Sequence, residues 1–312
     1  MILLVNSGGE KAVPVWRELF ARHAPHLEVR WIHDPAVAPE DVRYVFCWAP
    51  TPGFLATLPN LRLILSSGAG VDHITSDPTW PSRIGIVRMG GEETAQKMAE
   101  YVSLGALSLL RDMPRVFAGQ RDRKWDNFEV THSARDLRAG IMGLGNLGTA
   151  AAAMLSAIGY SVAGWSRSRK ALPGIECFAG DEERDAFLAR TDLLVCLLPD
   201  TPETRGAIRA ETIAKLPRGA AVINAGRGGH LVMEDLVAAL DEGHLSGAFL
   251  DVFEEEPLPP DHPAWAHPRI IVTPHIASQS ARPKRAEYVG AAIAAFERGE
   301  TPPNLFDPAK GY

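Results

Sequence analysis

Apolar runs of strand length alternate with helical stretches through the second half of this 312-residue chain. Most of these runs are almost continuously apolar, which is typical of parallel strands covered on both faces. They lie at residues 139–142, 161–165, 192–198, 221–224, 247–251 and 270–273. With helical stretches between them, the first at 149–158, these six strands predict a doubly wound parallel α/β sheet.

The first half repeats this pattern on a smaller scale. A helical stretch at 11–22 separates the first two strand-length apolar runs, so we expect a second α/β domain. The runs lie at residues 2–5, 27–31, 42–48, 61–65 and 84–87. This half contains no glycine-rich turn of the G-x-G-x-x-G type, which favours a role in shaping the substrate side.

Two further helical patterns predict how the halves are connected. Residues 92–111 predict one long helix that joins them, and residues 282–298 predict a helix after the last strand. The simplest packing returns that last helix to the first domain. We therefore expect a discontinuous domain of residues 1–96 plus 281–312 and a continuous domain of residues 97–280.

A glycine-rich turn lies between the predicted strand at 139–142 and the helix that follows it. It reads Gly143-Leu144-Gly145-Asn146-Leu147-Gly148. In such a turn the first glycine allows the tight bend, the second lets the main chain approach a pyrophosphate, and the third lets helix and strand pack closely. The helix N-terminus offers N–H groups to the anion. Because strand and helix flank the motif, it predicts a dinucleotide site rather than a simple turn.

Composition narrows the choice of partners. The chain is 46% hydrophobic and 22% charged with a net charge of −6, so neither nucleic acid nor an anionic membrane is favoured. Its three cysteines are too few and too scattered for a disulfide framework or a zinc site, and we expect no metal. No apolar stretch reaches the roughly 18 residues of a membrane span. We expect a cytoplasmic protein.

The segment after the second strand bears on the choice of dinucleotide. A site selective for NAD has an acidic residue about 20 residues beyond the glycine motif. Here the chain has no carboxylate but two hydroxyls and three cations, in the run Trp165-Ser166-Arg167-Ser168-Arg169-Lys170. Arginine binds a 2′-phosphate that a carboxylate would repel. The run predicts a preference for NADPH over NADH; a solvated basic loop is the alternative.

Polar and charged groups follow the later strands, at the edge where such sheets bind ligands. They lie in the segments Leu197-Leu198-Pro199-Asp200-Thr201, Ile223-Asn224-Ala225-Gly226-Arg227-Gly228, Leu250-Asp251-Val252-Phe253-Glu254-Glu255-Glu256-Pro257 and Val272-Thr273-Pro274-His275-Ile276-Ala277. Taken singly, each fits an ordinary turn, a surface cation, a solvated acidic run or a hydrogen-bonded loop histidine. Together they provide an anion clamp, a carboxylate and an imidazole, a set that suits reduction of a 2-keto acid.

These segments resemble the D-isomer-specific 2-hydroxyacid dehydrogenase family over essentially the whole chain, and most of all its bacterial glyoxylate/hydroxypyruvate reductase branch. The most specific match is Asp251-Val252-Phe253 with Glu256-Pro257, followed by Thr273-Pro274-His275. The other matches are Ser67-Gly68-Ala69-Gly70-Val71-Asp72, Ala99-Glu100-Tyr101, the glycine motif, the Trp165–Lys170 run and the final Gly311-Tyr312. The resemblance implies a flavodoxin-like substrate domain and a Rossmann dinucleotide-binding domain, with the active site in a cleft between them that closes over the substrate.

The resemblance also implies roles for individual residues. Arg227 grips the substrate carboxylate, His275 exchanges a proton with the carbonyl oxygen, and Glu256 holds the imidazole and favours its protonated form. Asp251 binds the nicotinamide carboxamide. The remaining cofactor contacts are assigned to the glycine motif, to the Trp165–Lys170 run, and to Leu198, Pro199, Thr204, Ala225, Gly226, Arg227, His275 and Ala277.

The substrate side is assigned to two segments of the first domain. The resemblance implies that the main-chain N–H groups of Ala69 and Gly70 add to the carboxylate clamp. Trp48 falls in the equivalent of a pocket-lining segment, although a packing aromatic at a strand end is the alternative. His73 is a candidate for substrate contact or an exposed loop histidine.

The leading hypothesis is therefore an NADPH-dependent reductase of small 2-keto acids, with glyoxylate and hydroxypyruvate as first candidates. One alternative keeps the same site but takes a larger, branched or aromatic 2-keto acid. Another is a non-catalytic dinucleotide-sensing protein. The family resemblance favours a homodimer formed through the cofactor domains. The polar residues 119–128, which include Trp125, predict a loop or arm at that contact.

Overall fold

A computed structural model describes residues 1–308 of the chain. Gly311 and Tyr312, which contribute to the family resemblance, lie outside the described residues. The chain divides into two compact units: Met1–Thr94 together with the chain from Gln279 onward, and Ala95–Ser278. Each unit is built on its own parallel sheet.

The first unit contains a five-stranded sheet in the order β2-β1-β3-β4-β5, the order of the flavodoxin-like fold. Its strands are β1 Ile2–Val5, β2 Glu28–Trp31, β3 Val42–Cys47, β4 Leu63–Ser66 and β5 Gly85–Val87. Its helices are α1 Val13–His23, the short α2 Asp72–Thr75 and α9 Arg282–Glu297. One face of the sheet packs under α1 and α9, where buried Trp16 and Phe20 meet Val289 and Ile293. The opposite face buries a second cluster around Leu55, Ile64 and Ile74.

The second unit contains a seven-stranded parallel sheet in the order β12-β11-β10-β9-β6-β7-β8. The strands are β6 Arg138–Met142, β7 Ser161–Ser166, β8 Glu176–Ala179, β9 Leu193–Cys196, β10 Ala220–Asn224, β11 Leu245–Leu250 and β12 Ile270–Val272. The helices are α3 Glu92–Leu110, α4 Met113–Arg121, α5 Asn146–Ile158, α6 Gly180–Ala189, α7 Ala210–Ile213 and α8 Met233–Asp241. Hydrophobic clusters on both faces confirm the predicted doubly wound parallel sheet.

Two predictions for this unit were wrong in detail. The sheet has seven strands rather than six, because β8 pairs with β7 at the sheet edge although its first residue is exposed and the other three are only partly buried. Residues 119–128 were predicted as a loop, but 119–121 complete helix α4. Gly119 lowers helix propensity without ending the helix, and its carbonyl accepts the N–H of Lys124 at 2.8 Å.

Cys47 and Cys196 are buried at the ends of central strands. Burial raises the pKa of each thiol to about 12, so both stay protonated at neutral pH.

Within residues 1–308, no helix has the length and apolar character needed to cross a membrane. Over the same residues, no group of three histidine, cysteine or acidic side chains is arranged to hold a metal ion.

Candidate active site

The glycine turn joins β6 directly to α5, which begins at Asn146. Gly143 has φ 102°, and a side chain there would lie 2.6 Å from the carbonyl oxygen of Leu197. A Cβ at Gly148 would overlap the carbonyl oxygen of Gly143, whereas one at Gly145 would meet nothing within 4 Å. The turn therefore needs Gly143 and Gly148 for its own packing and leaves open space over Gly145. This combination fits a pyrophosphate resting on the first turn of α5.

The basic segment after β7 is mostly exposed. Trp165, which precedes this segment within β7, is buried, and its indole N–H donates to the carbonyl of Gly180 at 2.8 Å. The hydroxyl of Ser166 donates to the carbonyl of Ser168 at 2.8 Å, which closes a tight turn. The guanidinium of Arg169 forms an ion pair with Glu183, in helix α6, while Arg167 is exposed.

The loop after β10 holds Arg227 through its main chain. Asn224 is fully buried, and its side-chain amide donates to the carbonyl of Arg227 at 3.0 Å. The main-chain N–H of Arg227 donates to Nδ1 of His230 at 3.1 Å. A Cβ at Gly228 would overlap the main chain of Phe253, so this loop packs directly against the loop after β11. These contacts fix the backbone from which the guanidinium projects.

His275 and Glu256 form a close pair in the loops after β12 and β11. Nδ1 of His275 lies 2.7 Å from Oε2 of Glu256, and the other carboxylate oxygen accepts the N–H of Phe253 at 2.9 Å. Burial alone would raise the pKa of Glu256, but the hydrogen bonds from His275 and Phe253 outweigh it and lower that pKa. Glu256 is therefore ionised at neutral pH and orients the imidazole through Nδ1.

The main chain at His275 adopts a left-handed conformation with φ 52°, which is uncommon for a residue other than glycine. Asp251, which is 1% exposed, stabilises it. Its carbonyl accepts the N–H of His275 at 2.9 Å, and its carboxylate accepts the N–H groups of Ile276 at 2.9 Å and Ala277 at 2.8 Å. Within this unit, the contacts of Asp251 thus hold the loop that contains His275.

Thr273 and Tyr101, to which the sequence assigned no role, extend the hydrogen bonds around Asp251. The hydroxyl of Thr273 donates to the carboxylate of Asp251 at 2.6 Å and lies 2.6 Å from the hydroxyl of Tyr101. Since Thr273 has only one hydrogen to donate, Tyr101 is the donor in their contact. Burial and the nearby charge of Asp251 raise the pKa of Tyr101, which keeps this donor protonated. Tyr101 lies in helix α3, and 172 residues separate it from Thr273 along the chain.

The other predicted cofactor residues of this unit lie at the same edge of the sheet, because the carboxyl ends of parallel strands point the same way. Leu198 and Pro199 follow β9, and the hydroxyl of Thr204 donates to the carbonyl of Pro199 at 2.7 Å. Ala225 and Gly226 follow β10. The fold therefore brings the loops after β6, β7, β9, β10, β11 and β12 to one edge.

In the five-stranded unit, the loop after β4 encloses buried Ser66. The Ser66 hydroxyl lies 2.9 Å and 3.0 Å from the carbonyl oxygens of Gly68 and Gly70. Because a trans peptide points its N–H away from its carbonyl, the N–H of Ala69 is directed away from Ser66. Trp48 follows β3 and stacks on His73 with ring centroids 3.8 Å apart. The two aromatic residues therefore support each other within this unit.

The glycine turn Gly143–Gly148 forms a cradle for a dinucleotide. It lies at the same edge of the sheet as the His275–Glu256 pair and the Arg227 loop, and together these features define an α/β oxidoreductase. Residues 104–277 match the family described as D-isomer specific 2-hydroxyacid dehydrogenase, NAD binding domain. The chain is 37% identical over 302 residues to a glyoxylate/hydroxypyruvate reductase A of Serratia proteamaculans, a match that covers 95% of this chain and 96% of that protein. The chain belongs to the D-isomer-specific 2-hydroxyacid dehydrogenase family, which confirms the resemblance seen in the sequence.

Solved structures agree with this assignment. A D-isomer specific 2-hydroxyacid dehydrogenase from Xanthobacter autotrophicus, in complex with NADPH and MES, is 39% identical with a TM-score of 0.92. An NADPH-dependent glyoxylate/hydroxypyruvate reductase from Sinorhizobium meliloti, in complex with NADP and sulfate, is 38% identical with a TM-score of 0.90. Each match covers 100% of this chain and 99% of the other.

Proposed function

We propose that this protein reduces small 2-keto acids, glyoxylate and hydroxypyruvate first among them, and that His275 is the general acid–base. The observation that supports this most directly is the 2.7 Å contact between Nδ1 of His275 and Glu256. Because an ionised carboxylate holds Nδ1, we assign the exchange of a proton with the substrate to Nε2. Both residues lie at the same sheet edge as the dinucleotide cradle.

The substrate carboxylate is assigned to Arg227. A guanidinium binds a carboxylate with two parallel hydrogen bonds, which also aligns the neighbouring keto group. The main chain of Arg227 is fixed by Asn224 and His230, and Nη1 of its guanidinium donates to the carbonyl of Gly226 at 2.9 Å. The N–H groups of Ala69 and Gly70 remain predicted contributors from the five-stranded unit. As the carbonyl is reduced, His275 donates its proton to the carbonyl oxygen; in the reverse direction it accepts that proton.

The cofactor is NADP(H), and when bound it supplies or accepts the hydride. Its pyrophosphate is assigned to the glycine cradle, and its 2′-phosphate to the basic segment after β7. Exposed Arg167 is the residue we assign to that phosphate, because it lies about 20 residues beyond the glycine motif, where an NAD-selective site has an acidic residue. The absence of a carboxylate from residues 166–170 favours NADPH over NADH.

We further propose a homodimer that forms through the seven-stranded unit. Large apolar side chains are exposed on α3, on α4 and in the segment that follows: Leu104 is 59% exposed, Phe117 50% and Trp125 96%. Large apolar groups exposed on successive segments favour a contact surface here. Light scattering on wild type and on a Phe117→Glu, Trp125→Glu double variant tests this, and a monomeric wild type would contradict it.

Steady-state oxidation of NADPH and of NADH, followed by absorbance, tests the function. The substrates are glyoxylate, hydroxypyruvate, pyruvate and phenylpyruvate. We expect fast turnover of NADPH with the two smallest polar acids. Activity with phenylpyruvate alone would keep the mechanism and replace the substrate class. NADPH binding without turnover of any acid would instead identify a dinucleotide-sensing protein.

A further inference from the structure

His230 is a wholly buried histidine of the seven-stranded unit, with 0% exposure. It ends the short helical turn Gly228–His230, three residues after Arg227. Both ring nitrogens contact main-chain groups. Nδ1 accepts the N–H of Arg227 at 3.1 Å, and Nε2 lies 3.1 Å from the carbonyl oxygen of Pro199. The ring therefore connects the loop after β10 to the loop after β9.

These contacts determine where the ring proton lies. A main-chain N–H can only donate and a carbonyl oxygen can only accept, so Nδ1 is the acceptor and Nε2 has the hydrogen. One neutral tautomer satisfies both neighbours at once. A protonated ring would place an N–H against the N–H of Arg227. Buried His230 is thus suited to hold two loops, whereas the partly exposed side chain of His275 is suited to exchange protons.

The main chain around the ring leaves little freedom for another arrangement. A Cβ at Gly226 would lie 2.9 Å from Nδ1 of His230 and 3.1 Å from the carbonyl oxygen of Leu198. Glycine at this position lets the two loops approach the ring from both sides. The separation between Arg227 and the Pro199 loop is therefore set by the width of one imidazole.

We propose that His230 is a positioning residue, which acts through Arg227 and Pro199 rather than by touching the substrate. Its Nδ1 acceptor holds the Arg227 main chain so that the guanidinium meets the substrate carboxylate in one orientation. Its Nε2–H keeps the Pro199 loop at a fixed distance from Arg227. This inference rests on the proposed function, because it takes Arg227 as the carboxylate clamp.

Two substitutions separate the two hydrogen bonds. His230→Gln retains an amide N–H near the position of Nε2 but has no acceptor at the position of Nδ1. His230→Asn has a carbonyl oxygen near the position of Nδ1 but cannot reach Pro199. The measurements are kcat and KM for glyoxylate, the Kd of NADPH by fluorescence, the Kd of oxalate by calorimetry with NADP present, and the melting temperature.

We expect His230→Gln to raise the KM for glyoxylate and the Kd of oxalate about tenfold, because it leaves the buried N–H of Arg227 without an acceptor. In His230→Asn the Kd of oxalate should stay within about threefold of wild type, since the acceptor is kept. His244→Gln is the matched control: His244 also bonds a main-chain carbonyl, that of Ile213 at 2.9 Å, away from these loops. It should change the melting temperature without changing the Kd of oxalate.

Equal weakening of oxalate binding by the Gln and Asn variants would overturn the inference, as would unchanged glyoxylate kinetics in His230→Gln. Either result leaves the proposed function standing if wild type turns over glyoxylate. A wild type that binds oxalate but turns over no keto acid still tests His230 through the oxalate Kd. A wild type that neither turns over keto acids nor binds oxalate would overturn both, because Arg227 would then not be a carboxylate clamp.

Discussion

The two parallel sheets of this protein differ most in the loop after their first strand. After β1, the side chain of Asn6 forms two 2.7 Å hydrogen bonds with the main chain of Trp48, and the indole of Trp16 donates to the carbonyl of Ser7 at 2.7 Å. After β6, glycines replace such side chains and α5 begins at once. The edge of the five-stranded sheet is filled by the unit's own side chains, whereas the edge of the seven-stranded sheet leaves main-chain N–H groups open to a ligand.

This difference shows that sheet topology alone does not create a binding site. Both edges collect the carboxyl ends of parallel strands. At the five-stranded edge, buried Ser66 binds the carbonyls of its own loop and Trp48 stacks on His73. At the seven-stranded edge, a histidine–glutamate pair and an arginine lie beside the open turn. We therefore assign the chemistry to the second edge and substrate shaping to the first.

The largest effect should come from removing the imidazole at the seven-stranded edge. We expect His275→Ala to lower kcat for glyoxylate reduction by roughly 10²–10⁴, because a positioned general acid contributes about that much. Cofactor binding should persist, since the glycine cradle is unchanged. His33→Ala is the control, as His33 is an exposed histidine that follows β2 at the other edge. Turnover within about tenfold of wild type would show that His275 is not the acid.

The next prediction compares Gly145 at the seven-stranded edge with Gly9 at the five-stranded edge. A Cβ at either Gly145 or Gly9 would meet nothing within 4 Å, but only Gly9 has a positive φ, 77°. We expect Gly145→Ala to keep the melting temperature of wild type and to weaken NADPH binding about tenfold or more, because its methyl group occupies the space for the pyrophosphate.

Gly9→Ala should show the reverse pattern. Gly9 has φ 77° and ψ 175°, a region that is essentially restricted to glycine, and alanine there costs on the order of 1–3 kcal/mol. The melting temperature should therefore fall while the Kd of NADPH stays the same. Fluorescence titration and thermal unfolding measure both quantities. Equal effects of the two variants on NADPH binding would remove the distinction between the edges.

An effect of similar size should separate the two arginines of the basic segment. We expect Arg167→Asp to shift the ratio of kcat/KM for NADPH over NADH towards NADH by about tenfold or more, since a hydrogen bond to a charged group contributes on the order of 1.5–3 kcal/mol. Arg169→Ala should shift this ratio less, because Arg169 is paired with Glu183. An unchanged ratio in Arg167→Asp would favour the solvated-loop interpretation.

The smallest effect concerns substrate shaping at the five-stranded edge. We expect Trp48→Ala to raise kcat/KM for phenylpyruvate relative to glyoxylate by about threefold or more, because a large side chain that limits a pocket is removed. His73→Ala should have a similar but weaker effect, since it removes only the ring on which Trp48 stacks. If the substrate ranking stays the same, Trp48 is a packing residue.

Features that depend on local order along the chain could be predicted from the sequence. The apolar runs gave six of the seven strands of the larger sheet, and the spacing of Gly143, Gly145 and Gly148 predicted the turn. Strand β8 was missed because an edge strand with partly buried residues needs no continuous apolar run. Helix α4 extended past Gly119 because one glycine lowers helix propensity only modestly.

The sequence by itself thus determined the family, the parallel α/β class and the residue types available for chemistry, since strand periodicity and motif spacing are local properties. Only the tertiary structure decided which residues support the reacting ones. His230 reaches a carbonyl 31 residues away, and Tyr101 reaches Thr273 across 172 residues. Such hydrogen bonds depend on how separate strands align their carboxyl ends, and the order of the strands in the sheet differs from their order along the chain.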